Sequence, residues 1–219
     1  MSTPQEFFQK NGYVVIENLV SREIANMLYA YTITVVQSID FKLMHSKNEY
    51  SEDWDGDFGD IQVAGTFKKY GDPLMDTLLV NCTTAIESAT GLDLQPNYSY
   101  WRLYQKDNIL EKHKDRDSCE VSVTMCLGYN NSNVDLSKYP NYNWPMFVES
   151  KDRPEGLPIS LNPGDAIIYR GCDVEHWRDR FLGLHHSQVF LHYNDKSGEL
   201  RELYDGRPMI GIPGKFKRL

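Results

Sequence analysis

His113 and Asp115 are separated by a single residue, and a lone His176 follows Asp115 by 61 positions, just past a Gly-Asp turn and a short apolar run. Two imidazole nitrogens and one carboxylate oxygen are the ligand set that suits non-haem Fe(II), because three protein ligands on one face leave the other coordination positions open for chemistry. Alternate residues of an extended strand point the same way, so an i, i+2 pair can share one ion. A triplet of this kind is also common as a solvated His and Asp in a charged loop. The elements around it must therefore decide its meaning.

The run Gly12-Tyr13-Val14-Val15-Ile16 reads as a short buried strand, and Ser21 as the N-cap of a helix over residues 22–38 with Ile24, Met27, Leu28 and Tyr31 on one apolar face. Residues 46–60 are acidic and loosened by Gly56 and Gly59, which predicts a surface loop able to act as a lid. A second helix is expected over 72–90, with Leu74, Leu78, Leu79 and Ile86 inward and Gly91 ending it. After Pro96 the period changes from 3.6 to 2. Tyr98, Tyr100, Arg102 and Tyr104 share one face of a strand, and Ser99, Trp101 and Leu103 the other. Residues 119–127 alternate as cleanly, Val121, Val123 and Met125 opposing Glu120, Ser122 and Thr124. Shorter strands are expected at 144–148 and 159–161. A turn at Asn162-Pro163-Gly164-Asp165 then leads into a strand over 166–169, and 187–193 forms another. From Asp195 the tail is polar, with Gly206, Gly211 and Gly214 breaking regular structure. Helices first and short strands afterwards indicate an α+β fold around an antiparallel sandwich or barrel. Each candidate ligand sits beside a strand, where a rigid sheet can pre-position it.

The 219 residues fit one β-rich domain with a sizeable core, and 41% hydrophobic with 25% charged residues is ordinary globular usage. A net charge of −8 argues against a nucleic-acid partner, the one basic cluster being Lys215, Lys217 and Arg218. No basic region followed by an apolar run opens the chain, and no stretch approaches the roughly 18 apolar residues of a membrane helix. The expected setting is cytoplasmic, without a membrane partner. Cys82, Cys119, Cys126 and Cys172 form no CxxC pair and are read as reduced. Cys172, His185, His186 and His192 lie near His176 in sequence but give no convincing four-ligand set for structural zinc.

Three pieces in this order, Asn11-Gly-Tyr-Val-Val-Ile16 before a helix, Tyr100-Trp-Arg-Leu-Tyr104 before His113-x-Asp115, and Pro163-Gly-Asp-Ala-Ile-Ile-Tyr169 before His176, are more specific than the triplet alone. Through them the chain resembles the Fe(II)- and 2-oxoglutarate-dependent oxygenases, near the prolyl 4-hydroxylase and phytanoyl-CoA hydroxylase branches. The resemblance implies a double-stranded β-helix, a cupin-like jelly roll, with residues 1–95 as mainly helical support, 96–195 as the core and 196–219 as a tail. It implies His113, Asp115 and His176 as iron ligands and 2-oxoglutarate as co-substrate. The family usually places an Arg or Lys about ten residues after the distal His, often with Ser two positions on. Here those positions are His186 and Gln188. A neutral imidazole replaces neither the charge nor the bidentate fork of a guanidinium. The far carboxylate is then left to Tyr104 first, to a protonated His186 second, and to Arg102 third. Arg116, Glu120 and Trp177 flank the metal motif closely enough to support it or to touch substrate.

The implied reaction couples oxidative decarboxylation of 2-oxoglutarate, to succinate and CO2, with hydroxylation of a C–H bond in a peptidyl proline, a free amino acid or a small metabolite. Residues 51–60 and 129–143 are the segments expected to close over that substrate. Two alternatives remain open at this stage. One is a non-catalytic jelly roll binding a metal or ligand, and the other a cupin-like metalloenzyme that does not use 2-oxoglutarate.

Overall fold

Three of the helices start at side-chain caps. In the computed structural model, which describes residues 2–150, 152–199 and 202–217, Thr3 accepts a bond from Glu6 N while the Glu6 carboxylate reaches back to Thr3 N. This capping box opens α1 (Pro4–Asn11). Ser21 caps α2 (Arg22–His45) through Ile24 N, and Asp72 caps α4 (Pro73–Thr90) through Leu74 N and Met75 N. Between them lies a single turn, α3 (Glu52–Asp55). Helix α2 runs past the expected Ser38 because Val36 and Ile39 continue its buried stripe and nothing breaks it before Ser46. Helix α1 carries one buried side chain, Phe8, too little periodicity to read from sequence.

Among the described residues, ten strands follow the order β1 (Tyr13–Ile16), β2 (Phe67–Tyr70), β3 (Leu94–Gln105), β4 (Leu110–His113), β5 (Val121–Asn130), β6 (Met146–Ser150), β7 (Arg153–Ile159), β8 (Ala166–Tyr169), β9 (His176–Arg178) and β10 (His185–Asp195). They form a six-stranded sheet ordered β1-β8-β5-β10-β3-β2 and a four-stranded sheet ordered β4-β9-β6-β7, every pairing antiparallel. The two sheets and their supporting helices make a double-stranded β-helix. Strand β7 lies ahead of the expected 159–161. The short β2, β4 and β9 mix charged and apolar residues and carry no period of their own.

Alternation along the larger sheet separates two environments. Trp101, Leu103, Val121, Val123, Met125, Val189 and Leu191 point outward into the main core, against Leu28, Ile39, Met75, Leu79 and Ile86 of the helices. The intervening residues point between the sheets. Register lines these up in rows. One row crosses four strands as Tyr169, Ser122, His192 and Tyr98, and a deeper one joins Cys126, Gln188 and Arg102.

The polar tail docks on the body. Arg207 is buried and pairs with buried Asp76 at 2.8 Å, Lys215 pairs with Asp53 at 2.6 Å, and Asp205, which Lys217 also meets within the tail, pairs with Arg116 at 2.9 Å. The third member of the expected basic cluster, Arg218, lies outside the described residues.

Candidate metal centre

His113 closes β4 and His176 opens β9, and the ladder sets them directly opposite each other, ring centroids 4.3 Å apart. Their Nδ1 atoms bond the carbonyls of Glu111 at 2.8 Å and Val174 at 3.0 Å. A carbonyl only accepts, so each Nδ1 carries the proton and each Nε2 presents a lone pair to the space between the sheets. Burial lowers the pKa of His176, against the opposing pull of Asp115, and so favours the neutral ring a metal requires.

Asp115 is not on the strand that spacing suggested. Its backbone N donates to Gly171 O at 2.9 Å, and its Oδ2 accepts from Ser122 Oγ at 2.6 Å. Oδ1 is left 3.8 Å from His113 Nε2 and 3.6 Å from His176 Nε2. The donor atoms of the three residues all lie within 4.8 Å of one another, and no other such group exists among the described residues. Two nitrogens and one oxygen converging from one side fit a ferrous ion with open positions.

A polar chain that sequence reading missed stands behind this carboxylate. The single proton of Ser122 Oγ serves Asp115, so His192 Nδ1, 3.0 Å from the same oxygen, is the donor to it. Burial drops the pKa of His192 to about 4, which keeps the ring neutral. Tyr169, in the same row, places its hydroxyl 3.4 Å from His176 Nε2 and 3.3 Å from Thr124 Oγ1. Gly171 permits the approach of all these groups. A Cβ there would fall 2.4 Å from Cys119 O, 2.5 Å from Ser122 Oγ and 2.6 Å from Asp115 Oδ2.

The triad opens into a cavity of about 550 Å³ whose walls include Tyr98, Tyr100, Arg102, Tyr169, Phe190 and His192. Asp60, Ile61 and Gln62 close one side. The acidic segment therefore does reach the site. The other expected segment, 129–143, contributes no wall and instead packs Tyr142 at Phe181 and Leu182.

Each residue proposed for the far carboxylate now has a place. Arg102 lines the cavity but is already paired: its Nε meets Asp60 Oδ2 at 2.5 Å, Nη2 meets Asp60 Oδ1 at 3.2 Å and also Gln62, and Nη1 donates to Tyr104 Oη at 3.3 Å. The pairing holds the Asp60 carboxyl below its usual range although burial opposes this. Tyr104 is fully buried, edge-on to Trp144. His186 lacks the surroundings that would favour the charge the sequence argument required. Burial, and then the neighbouring Arg178, push its pKa well below the ordinary value. Gln188 is buried with both amide atoms unpartnered, and His186 Nδ1 is unpartnered too.

Arg178, two residues past His176 on the same strand, drew no attention in the sequence. It is 2% exposed, donates from Nη1 to Trp144 O at 2.8 Å, and has no partner for Nη2. No carboxylate pairs with it among the described residues, and burial pulls its pKa down to about 10. Of the flanking residues, Arg116 lines the cavity while stacking on Tyr98 and pairing with Asp205 at 2.9 Å. Glu120 binds Asn194 Nδ2 and Asp195 N, and Trp177 stacks on Phe147. Neither lines the cavity. Cys172 and His185 are likewise spent elsewhere, on the carbonyls of Arg116 and Asp117 and on Tyr29 Oη.

No protein-family model and no curated protein matches the sequence. Solved structures do. A Pseudomonas putida prolyl-4-hydroxylase shares 14% identity over 87% of this chain and 96% of its own, with a TM-score of 0.57. HygX from Streptomyces hygroscopicus, solved with nickel and 2-oxoglutarate bound, shares 14% over 97% and 96%, at 0.56. Apo EctD from S. alaskensis shares 14% over 97% and 85%, at 0.60. The chain has the fold of the 2-oxoglutarate- and Fe(II)-dependent oxygenases, and its His113, Asp115 and His176 fit an iron-binding triad.

Proposed function

We propose that this chain is a non-haem Fe(II)- and 2-oxoglutarate-dependent dioxygenase that hydroxylates a peptide or small-molecule substrate. The observation that carries the reading is the convergence of His113 Nε2, His176 Nε2 and Asp115 Oδ1 at the wall of a cavity, each oriented by a hydrogen bond on its far side. A ferrous ion bound there with 2-oxoglutarate would supply the oxidising power for C–H hydroxylation.

The protein's own residues do the rest. His113 and His176 would hold the ion as neutral donors, and the Ser122 hydroxyl keeps Asp115 Oδ1 turned toward the place it would occupy. Tyr98, Tyr100 and Phe190 offer aromatic walls for a substrate, and Ile61, fully exposed on the loop at the rim, offers an apolar contact. The same walls exclude water around the reacting carbon. Peptidyl proline, a free amino acid and a small metabolite all remain within this class, and the cavity favours a substrate of modest size. The test is anaerobic addition of Fe(II) and then 2-oxoglutarate, followed by exposure to air. A weak visible charge-transfer band and Fe(II)-dependent succinate formation are expected. Metal binding without either would instead favour a non-catalytic or 2-oxoglutarate-independent jelly roll.

A further inference from the structure

The interior beyond the triad is left electrically incomplete. Arg178 Nη2, His186 Nδ1 and both amide atoms of Gln188 are buried polar groups without a partner. Such groups are rare in folded proteins and mark a missing ligand or water. A lone buried guanidinium is the most costly of them, because its desolvation is offset by no counter-ion. The groups lie together. The Arg178 guanidinium lies over the Trp144 ring, 4.8 Å from its centroid, and the same ring meets His186 at 5.5 Å and Tyr104 at 5.0 Å, while Cys126 Sγ is 3.9 Å from His186 Nε2. Gln188 stands two residues from His186 on the same face of β10 and pairs in register with Cys126. A carboxylate placed among them would pair with the Arg178 fork and accept from the Gln188 amide.

The placement also answers the departure seen in the sequence. His186 occupies the β10 position where a cation is usual, and the cation here comes from β9 of the facing sheet. Arg178 and the metal ligand His176 are two residues apart on one strand, about 6.6 Å along its axis. That is the order of reach of a five-carbon dicarboxylate whose other end sits at the metal. Arg102, by contrast, already has the Asp60 carboxylate.

We propose that Arg178, assisted by Gln188, is the residue that binds the far carboxylate of 2-oxoglutarate, taking over from the β10 position held by His186. The assignment rests on the function proposed above. Tyr169 lines the cavity and sets its hydroxyl 3.4 Å from His176 Nε2, on the strand that carries Arg178.

The experiment compares 2-oxoglutarate with 2-oxopentanoate, which keeps the chelating end and replaces the far carboxylate with a methyl group. Binding to the Fe(II)-loaded protein is measured anaerobically by calorimetry, with metal content checked in every variant. Wild type should prefer 2-oxoglutarate by about 10- to 100-fold, the discrimination expected from a charge-assisted contact. Arg178→Gln should lose that preference while retaining iron, Arg178→Lys should keep part of it, and Arg102→Gln should keep it in full. A preference unchanged in Arg178→Gln, or lost in Arg102→Gln alone, overturns the assignment but leaves the function standing. Wild type that binds neither 2-oxo acid overturns both. Should Arg178→Gln fail to fold, Gln188→Leu and Arg178→Lys carry the test, and a full wild-type preference in both overturns the assignment.

Discussion

Ser122 Oγ donates to Asp115 Oδ2 at 2.6 Å, and this one bond decides which carboxylate oxygen faces the two imidazoles. The metal-facing geometry of Asp115 therefore depends on β5, a strand of the larger sheet, although the histidines belong to the smaller one.

Removing that hydroxyl should loosen the site without opening the fold. Ser122→Ala is expected to weaken Fe(II) affinity by about 10- to 100-fold, the usual consequence of losing a group that orients a ligand. Competition with a metal-binding dye measures it, and unchanged affinity would show that Asp115 is held by Gly171 O alone.

Asp115→Ala should abolish tight iron binding and leave the melting temperature of the metal-free protein nearly unchanged, because the side chain is part-exposed and belongs to none of the apolar clusters. Unfolding of the variant would make the residue structural.

Gly171→Ala is expected to lower iron affinity and stability together. The added methyl meets the backbone oxygen of Cys119 and two of the groups that hold the site. A cost of about 1–3 kcal/mol is expected for such overpacking, read from urea unfolding.

Asp60→Ala strips the buried Arg102 of its counter-ion. Breaking one side of a buried pair costs about 3–5 kcal/mol, whereas replacing both partners is far milder. Asp60→Ala/Arg102→Met should accordingly recover much of the lost stability. A single variant as stable as wild type would show the pair to be dispensable.

The metal-free protein should lose stability as pH falls below about 6.5. The folded pKa of His192, near 4, lies below that of an unfolded imidazole, so the unfolded state binds more protons between the two values and stability rises with pH across that window. The full contribution is roughly 3 kcal/mol, present above pH 6.5 and lost by pH 4. His192→Asn should flatten the dependence between pH 7 and 5, as measured by urea midpoints. An unchanged slope would remove His192 from the account.

The sequence by itself determined the ligand types, the cap at Ser21, and the alternation that sends Ser122 to one face of its strand and Arg102 to one face of its own. These are local properties, set by hydrogen-bonding chemistry over a few residues and by the two-residue period of a strand. Tertiary structure decided which polar groups meet. Arg102 is free in the sequence but taken by the Asp60 loop once the chain folds, burial beside Arg178 pushes His186 away from the charged form, and nothing in the sequence around Arg178 distinguishes it from any other arginine. Pairing between distant segments and the removal of water fix the charge state and the free valence of a side chain, and neither is encoded within reach of its neighbours in the chain.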